Sequence, residues 1–262
     1  MMNGALLARM DDQAANRRIL ERIGERADFR RVEEASIKRT TRLSSPTGKR
    51  ILARCFYSLQ LNMWYLQVVG SGKLPEDDIE QVETLVRKSL DKALAAVNRE
   101  LDAAHEQLRR HAVETVATYD AAPLELEVSI VTAHARKFFE LLHKVDEMMP
   151  LIQTLAIEEI IDDRTAAKMR TRCSRMALKI TGSVRMFAIA CRKKVRALEV
   201  AQPAQRMASD DRGDAEDSLE AADGSSGAAD GATPAPPSDG EATVEPLAVE
   251  ALPVVQEVAA VA

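Results

Sequence analysis

Nine apolar residues, Ile79, Val82, Val86, Leu90, Ala93, Val97, Leu101, Ala104 and Leu108, recur at steps of three and four. That spacing keeps one stripe of an α-helix apolar over about thirty residues, a rod of roughly 45 Å. A stripe so long must be covered along its whole length, which restricts the chain to a helical bundle or to an intermolecular coiled-coil contact. Pro75 followed by Glu76, Asp77 and Asp78 supplies the start, because a proline fits the first helical turn and acids favour its positive end.

The rest of the chain agrees with a mainly α fold. Aromatic residues make up only 3% and hydrophobic residues 46%, so the core must be packed through aliphatic side chains, in a chain rich in helix formers. Ile19, Leu20, Ile23 and Ala27 predict a first helix over Asp11 to Ala27. Ser36 to Leu43 is Thr-rich and fits an extended segment; as a strand it would place Lys38, Thr40 and Arg42 on one face. A helix from Lys49 to about Val69 follows, burying Leu52, Cys55, Phe56, Leu59, Met63 and Leu66. Phe56, Tyr57, Trp64 and Tyr65 put this helix near the centre of the core. Beyond Tyr119-Asp-Ala-Ala-Pro123, residues Leu124 to Ile130 alternate like a strand, yet helical spacing takes over from Val131 to Val145, and both readings of the start stay open. Pro150 to Ile161 reads as a separate short helix. The architecture expected is a helical bundle with a long central helix and a short N-terminal β-ribbon. It comprises an N-terminal helix or arm (1–27), a helical domain (28–200) and a tail (201–262).

Charge is divided unevenly. Residues 1–200 hold 34 Lys and Arg against 28 Asp and Glu, whereas residues 201–262 hold 2 against 13. The tail's Ala, Gly, Pro, Ser and Asp content cannot bury enough surface to offset its ordering entropy, so it is expected to be disordered; Val244 to Val261 alone has the apolar content of a docking motif. Within the basic body, Arg164 to Arg196 carries eleven Lys and Arg and no acid. Ala166, Met169, Cys173, Met176, Ala177 and Ile180 form an apolar stripe opposite Arg164, Lys168, Arg172, Arg175 and Lys179. A second helix repeats the pattern, with Val184, Phe187, Ala188, Cys191, Val195 and Leu198 opposite Arg185, Arg192 and Arg196. Solvated helix faces usually mix signs so that neighbours offset repulsion, and neither helix holds an acid to do so. Ala35 to Pro75 is also free of acids, with seven Lys and Arg including Lys49 and Arg50. Acid-free basic surfaces of this kind suit phosphate binding.

Catalytic constellations are absent by spacing. His105 and His111 stand six apart, not four, so the zinc-binding helical pair fails. Gly48-Lys49 and Gly72-Lys73 lack the remaining groups of a phosphate loop. His134 and His143 lie among apolar neighbours and read as structural, and Asp162-Asp163 reads as an acidic helix start. The chain is expected to be neither an enzyme nor a metal or cofactor protein. Cys55, Cys173 and Cys191 are odd in number and make no CxxC pair, which points to a reducing cytoplasm. Met1 to Met10 lacks the apolar run of a signal peptide.

Four runs carry a resemblance: Arg39-Thr-Thr-Arg-Leu-Ser-Ser-Pro-Thr-Gly-Lys-Arg-Ile51, Phe56-Tyr-Ser-Leu-Gln-Leu-Asn-Met-Trp64, Ala117-Thr-Tyr-Asp-Ala-Ala-Pro-Leu-Glu-Leu126 and Met149-Pro-Leu-Ile-Gln-Thr-Leu-Ala156. The chain resembles, over about residues 30 to 198, a protein family of integrating conjugative elements and conjugative plasmids that includes the AcaB-like transcriptional activators. The resemblance implies a DNA-binding regulator, dimeric, in which a short strand pairs with its dimer mate and enters the major groove as in ribbon-helix-helix proteins. Lys38, Thr40 and Arg42 would face that groove. The loop up to Lys49 is longer than a compact ribbon-helix-helix turn requires. Two rival readings remain: a scaffold of the conjugation apparatus binding a protein partner through the long helix at 76–112, and attachment to anionic lipid through Ser183 to Leu198.

Overall fold

A computed structural model of the chain describes residues 13–23, 32 and 34–210, with 200–210 described by their backbone alone. The elements are α1 (13–23), β1 (Ile37–Leu43), α2 (Pro46–Ile51), α3 (Tyr57–Tyr65), α4 (Glu76–Arg110), β2 (Leu124–Ile130), α5 (Ala133–Ile157) and α6 (Asp163–Asp210). Wide π-helical turns at Leu52–Phe56 and Leu66–Gly70 continue α2 and α3, so one helical rod runs from Pro46 to Gly70. The fold is a helical bundle carrying a two-stranded antiparallel sheet.

α5 touches α2, α3, α4 and α6, and its longest shared face is with α4. The nine-residue stripe of α4 is buried along its length within the chain. That face is therefore closed to an intermolecular coiled coil. Phe56, Phe138, Leu59, Met63, Leu90 and Met148 are fully buried where these helices meet. Each such side chain contributes about 1.5–3 kcal/mol of burial. Phe56 stacks edge-on with Phe139, but Tyr57, Trp64 and Tyr65 lie at the margin of the core, half-buried.

Two expected breaks do not occur. Pro150 sits inside α5, joining the two helices expected there, although it removes a backbone donor and costs about 3 kcal/mol. Met149, Leu151, Ile152 and Leu155 around it are all buried, and their packing carries the helix through. The two basic helices likewise form one, α6, which passes Gly182 and runs on to Asp210. Ile180 and Val184 continue the buried stripe across the glycine, whose helical cost of about 1 kcal/mol is smaller than the burial on either side. Its last turns enter the stretch assigned to the tail; residues 211–262, including Val244 to Val261, lie outside the described residues.

The strand expected at Ser36 to Leu43 forms, and so does the ambiguous one at Leu124 to Ile130. They pair with each other, antiparallel, from Ile37 opposite Ile130 to Leu43 opposite Leu124. Thr41, Leu43, Leu124, Val128 and Ile130 point inward, and buried Gln60 fastens the sheet to α3 by donating to Ser129 O (2.9 Å) and accepting from Val131 N (3.2 Å).

The junction between β1 and α2 explains the Ser-Ser-Pro-Thr-Gly run. Ser45 caps α2, its hydroxyl accepting from Gly48 N at 2.9 Å, and Pro46 occupies the first turn. Asp146 of α5 accepts from Ser44 N (3.0 Å), Ser45 N (3.0 Å) and the Ser45 hydroxyl (2.5 Å). A Cβ at position 48 would lie 2.2 Å from Asp146 Oδ1, so the carboxylate can come this close only to a glycine.

Candidate nucleic-acid interface

The basic residues of α6 fall into an N-terminal row, Arg164 to Lys179, and a C-terminal row, Arg185 to Arg196, and neighbouring helices engage some of each. Arg172 Nη1 reaches Glu100 Oε1 of α4 at 2.8 Å, and Lys194 reaches Asp78 of α4 at 2.6 Å. Both separations, Asp78 to Glu100 and Arg172 to Lys194, are 22 residues, as two straight antiparallel helices require. On the opposite flank, Arg192 donates to Asn62 Oδ1 (3.2 Å) and lies 4.4 Å above the ring of Tyr65.

The N-terminal row contains all five residues expected there. Arg164, Lys168, Arg172, Arg175 and Lys179 line one open groove of about 760 Å³ together with Ala167, Thr171 and Met176. Arg164, Lys168, Arg172 and Arg175 are exposed and Lys179 is half-buried. Apart from Arg172, none of the five forms a salt bridge among the described residues, although the charge of Lys168 is felt by Asp162 at the start of the helix. Four cations held side by side, with Asp162 as a nearby carboxylate at one end, still repel one another, and an anion in the groove would relieve that repulsion. The methylene stems and Met176 make the groove floor apolar beneath the charges.

The C-terminal row is weaker. Arg185 and Arg196 are exposed, but Arg192 is engaged with Asn62 and Tyr65 and does the work of packing α6 on α3. Lys193, which the sequence pattern did not single out, is exposed on the same half of the helix. Phe187 packs against the core, so the one bulky aromatic needed for lipid insertion is already occupied.

The ribbon presents Lys38, Thr40 and Arg42 on its outer face, as expected for a strand. Its partner strand, however, places Glu125 and Glu127 on that same face. Lys38 lies 3.4 Å from Glu127 and Arg42 3.4 Å from Glu125. The charge of the face is thus offset, in contrast to the groove on α6. The pairing expected between dimer mates is met here within one chain. Exposed pairs of this kind are worth about 0–1 kcal/mol, so they bias the two cations without locking them.

Lys49 is out of reach of a ligand. It is 8% exposed, and its Nζ donates to Asn16 Oδ1 (3.1 Å) and Ala122 O (2.6 Å), tying α1 and the loop before β2 to α2. Arg50, its neighbour, is exposed. Lys38, Arg42 and Lys49, three of the seven cations of the 35–75 stretch, are thus paired or buried. No local pattern identifies Glu100 or Glu125 as counter-charges, since both come from elements distant in sequence.

Other titratable groups are structural. Asp162 caps α6, accepting from Thr165 N at 3.3 Å, and this bonding to Thr165 holds its carboxyl below the usual range. His134 is buried against α4 with Nε2 3.3 Å from Glu83 O, and burial lowers its pKa. His143 lies between Phe139 and the Thr41 hydroxyl, also lowered by burial. Cys55 and Cys173 are pushed up to about 11 by burial, which keeps them as unreactive thiols. Among the described residues, no group of His, Cys, Asp and Glu is arranged to hold a metal, and no helix is long and apolar enough to cross a membrane.

No protein-family profile and no curated protein sequence matches the chain. Among solved structures, the chain is similar to selenomethionine-containing AcaB from uropathogenic E. coli. The TM-score is 0.59 at 17% identity, covering 64% of this chain and 86% of that one. At that identity the likeness establishes a shared fold.

Proposed function

From a fold shared with AcaB, we propose that this protein is a non-enzymatic DNA-binding transcriptional regulator of conjugative-element genes, acting as a dimer in the cytoplasm. The observation that carries the reading is the row of Arg164, Lys168, Arg175 and Lys179, which stand outside any salt bridge among the described residues and line one groove. The row spans fifteen residues of helix, roughly 22 Å, long enough to follow several successive phosphates. The fold likeness agrees with the family that the four sequence runs resemble. In this reading α6 binds the DNA backbone and positions the protein, while Lys38, Thr40 and Arg42 read base edges once Lys38 and Arg42 exchange their glutamate partners for DNA.

Fluorescence anisotropy with labelled duplex DNA at about 50 and 200 mM salt tests this. Four phosphate contacts predict log K falling with log salt at about −3.6, a loss of roughly 150-fold over that range. Replacing the four row residues with Gln should remove that slope on all sequences alike. Replacing Lys38 and Arg42 should erase only the preference for a specific site, at about 1–3 kcal/mol per base contact. Absence of binding at low salt would refute the function, whereas equal losses on specific and random duplexes for Lys38 and Arg42 would refute only the ribbon's role.

A further inference from the structure

The structure leaves a strongly basic helix leading directly into a strongly acidic segment. Residues 211–262 contain twelve Asp and Glu against a single Arg, Arg212. Six of the twelve crowd between Asp211 and Asp223, and the other six, from Asp230 to Glu257, are spaced out. α6, which ends at Asp210, carries exposed cations outside salt bridges at Arg164, Lys168, Arg175, Arg185, Lys193 and Arg196. We propose that segment 211–262 docks back along the exposed face of α6 in the same chain and competes there with nucleic acid. The regulatory half of this proposal rests on the DNA-binding reading above; the docking half does not.

Chain length makes the arrangement specific. At 1.5 Å per residue, Lys193 lies about 26 Å from the end of α6, Lys179 about 46 Å and Lys168 about 63 Å. An extended chain covers at most about 3.3–3.6 Å per residue, so the acids up to Asp223 reach back some 45 Å. They can therefore meet Lys193, Arg196 and Arg185, while Lys168 lies beyond them. The first acid able to reach Lys168 is Asp230 or its near neighbours in length. The dense cluster thus faces the C-terminal row and the spaced acids face the groove. Tethering holds these acids at an effective concentration on the millimolar scale, enough for weak ion pairs to fill the face in the absence of DNA.

Carbodiimide cross-linking of the full chain, which joins lysine amines to carboxylates in direct contact, tests the docking without DNA. At about 20 mM salt, Lys193 should link to acids between Asp211 and Asp223, and Lys168 to Asp230 or later acids. Both sets should fade by about 1 M salt, where the Debye length falls to about 3 Å. Links spread evenly over Lys38, Lys88 and Lys144 as well, links found only between different chains, or none at low salt would overturn docking. A full-length variant with the twelve acids of 211–262 changed to Asn or Gln tests the competition. It should bind duplex DNA about threefold to tenfold more tightly at low salt, with the gain vanishing at high salt. The expected links with unchanged DNA affinity would overturn the competition. If neither protein binds DNA, the proposed function fails while the cross-links still decide the docking.

Discussion

Substituting Gly48→Ala isolates the junction between β1, α2 and α5. The new Cβ would stand 2.2 Å from Asp146 Oδ1, and ordinary contact begins at 3.4 Å, so the carboxylate must retreat by about 1.2 Å. The bonds from Ser44 N and Ser45 N are already 3.0 Å long, and a retreat of that size breaks both. Hydrogen bonds to a charged group are worth about 1.5–3 kcal/mol each, and solvent reaching half-buried Asp146 replaces part of that. Alanine's better helix propensity returns up to about 1 kcal/mol. The expected net loss is about 2–4 kcal/mol, or roughly 4–16 °C in Tm for a chain of this size. Urea unfolding of the single variants and of Gly48→Ala combined with Asp146→Ala measures it. Once the carboxylate is gone, the alanine has nothing to displace, so Gly48→Ala should be neutral or slightly stabilising in that background. An equal cost in both backgrounds would refute the steric account.

Ala112 and Glu159 hold φ of 53° and 54° just past the ends of α4 and α5, and the bonds from Val113 N to Leu108 O and Ile160 N to Leu155 O close both ends in the glycine-type manner. Ala112→Gly and Glu159→Gly should each raise stability by about 0.5–1 kcal/mol in urea titrations, and a loss at either site would contradict the strain. His134 and His143 have folded pKa values lowered below 6.5 by burial, so the unfolded chain takes up more protons as pH falls. Their contribution is complete above about pH 6.5 and is lost as pH drops through that value towards the folded pKa; His134→Phe should flatten the decline in urea midpoint between about pH 7 and 5. Glu100→Gln releases Arg172 from its 2.8 Å pair, which should steepen the salt dependence of DNA binding by up to about 0.9; an unchanged slope would place Arg172 outside the interface.

Local spacing decided much of this protein. The stripe from Ile79 to Leu108 and the inward face of α6 from Ala166 to Val195 each depend on which residues fall on one side of a helix, a property of neighbours three or four apart, whereas the alternation at Leu124 to Ile130 left strand and helix both open until β2 paired with β1. The five cations from Arg164 to Lys179 follow from the same rule, and the structure brings them to one groove. Tertiary packing decided whatever depends on partners far along the chain. Pro150 and Gly182 read locally as breaks, yet burial on both sides outweighs their cost and joins the helices. Lys49 reads as one more surface cation until Asn16 and Ala122 close over its amine. Glu125, Glu127 and Glu100 oppose Arg42, Lys38 and Arg172 only because β2 pairs with β1 and α4 runs antiparallel to α6. Which cations stay free for a ligand is thus a matter of where the acids of other elements land, and that is set by packing and not by spacing along the chain.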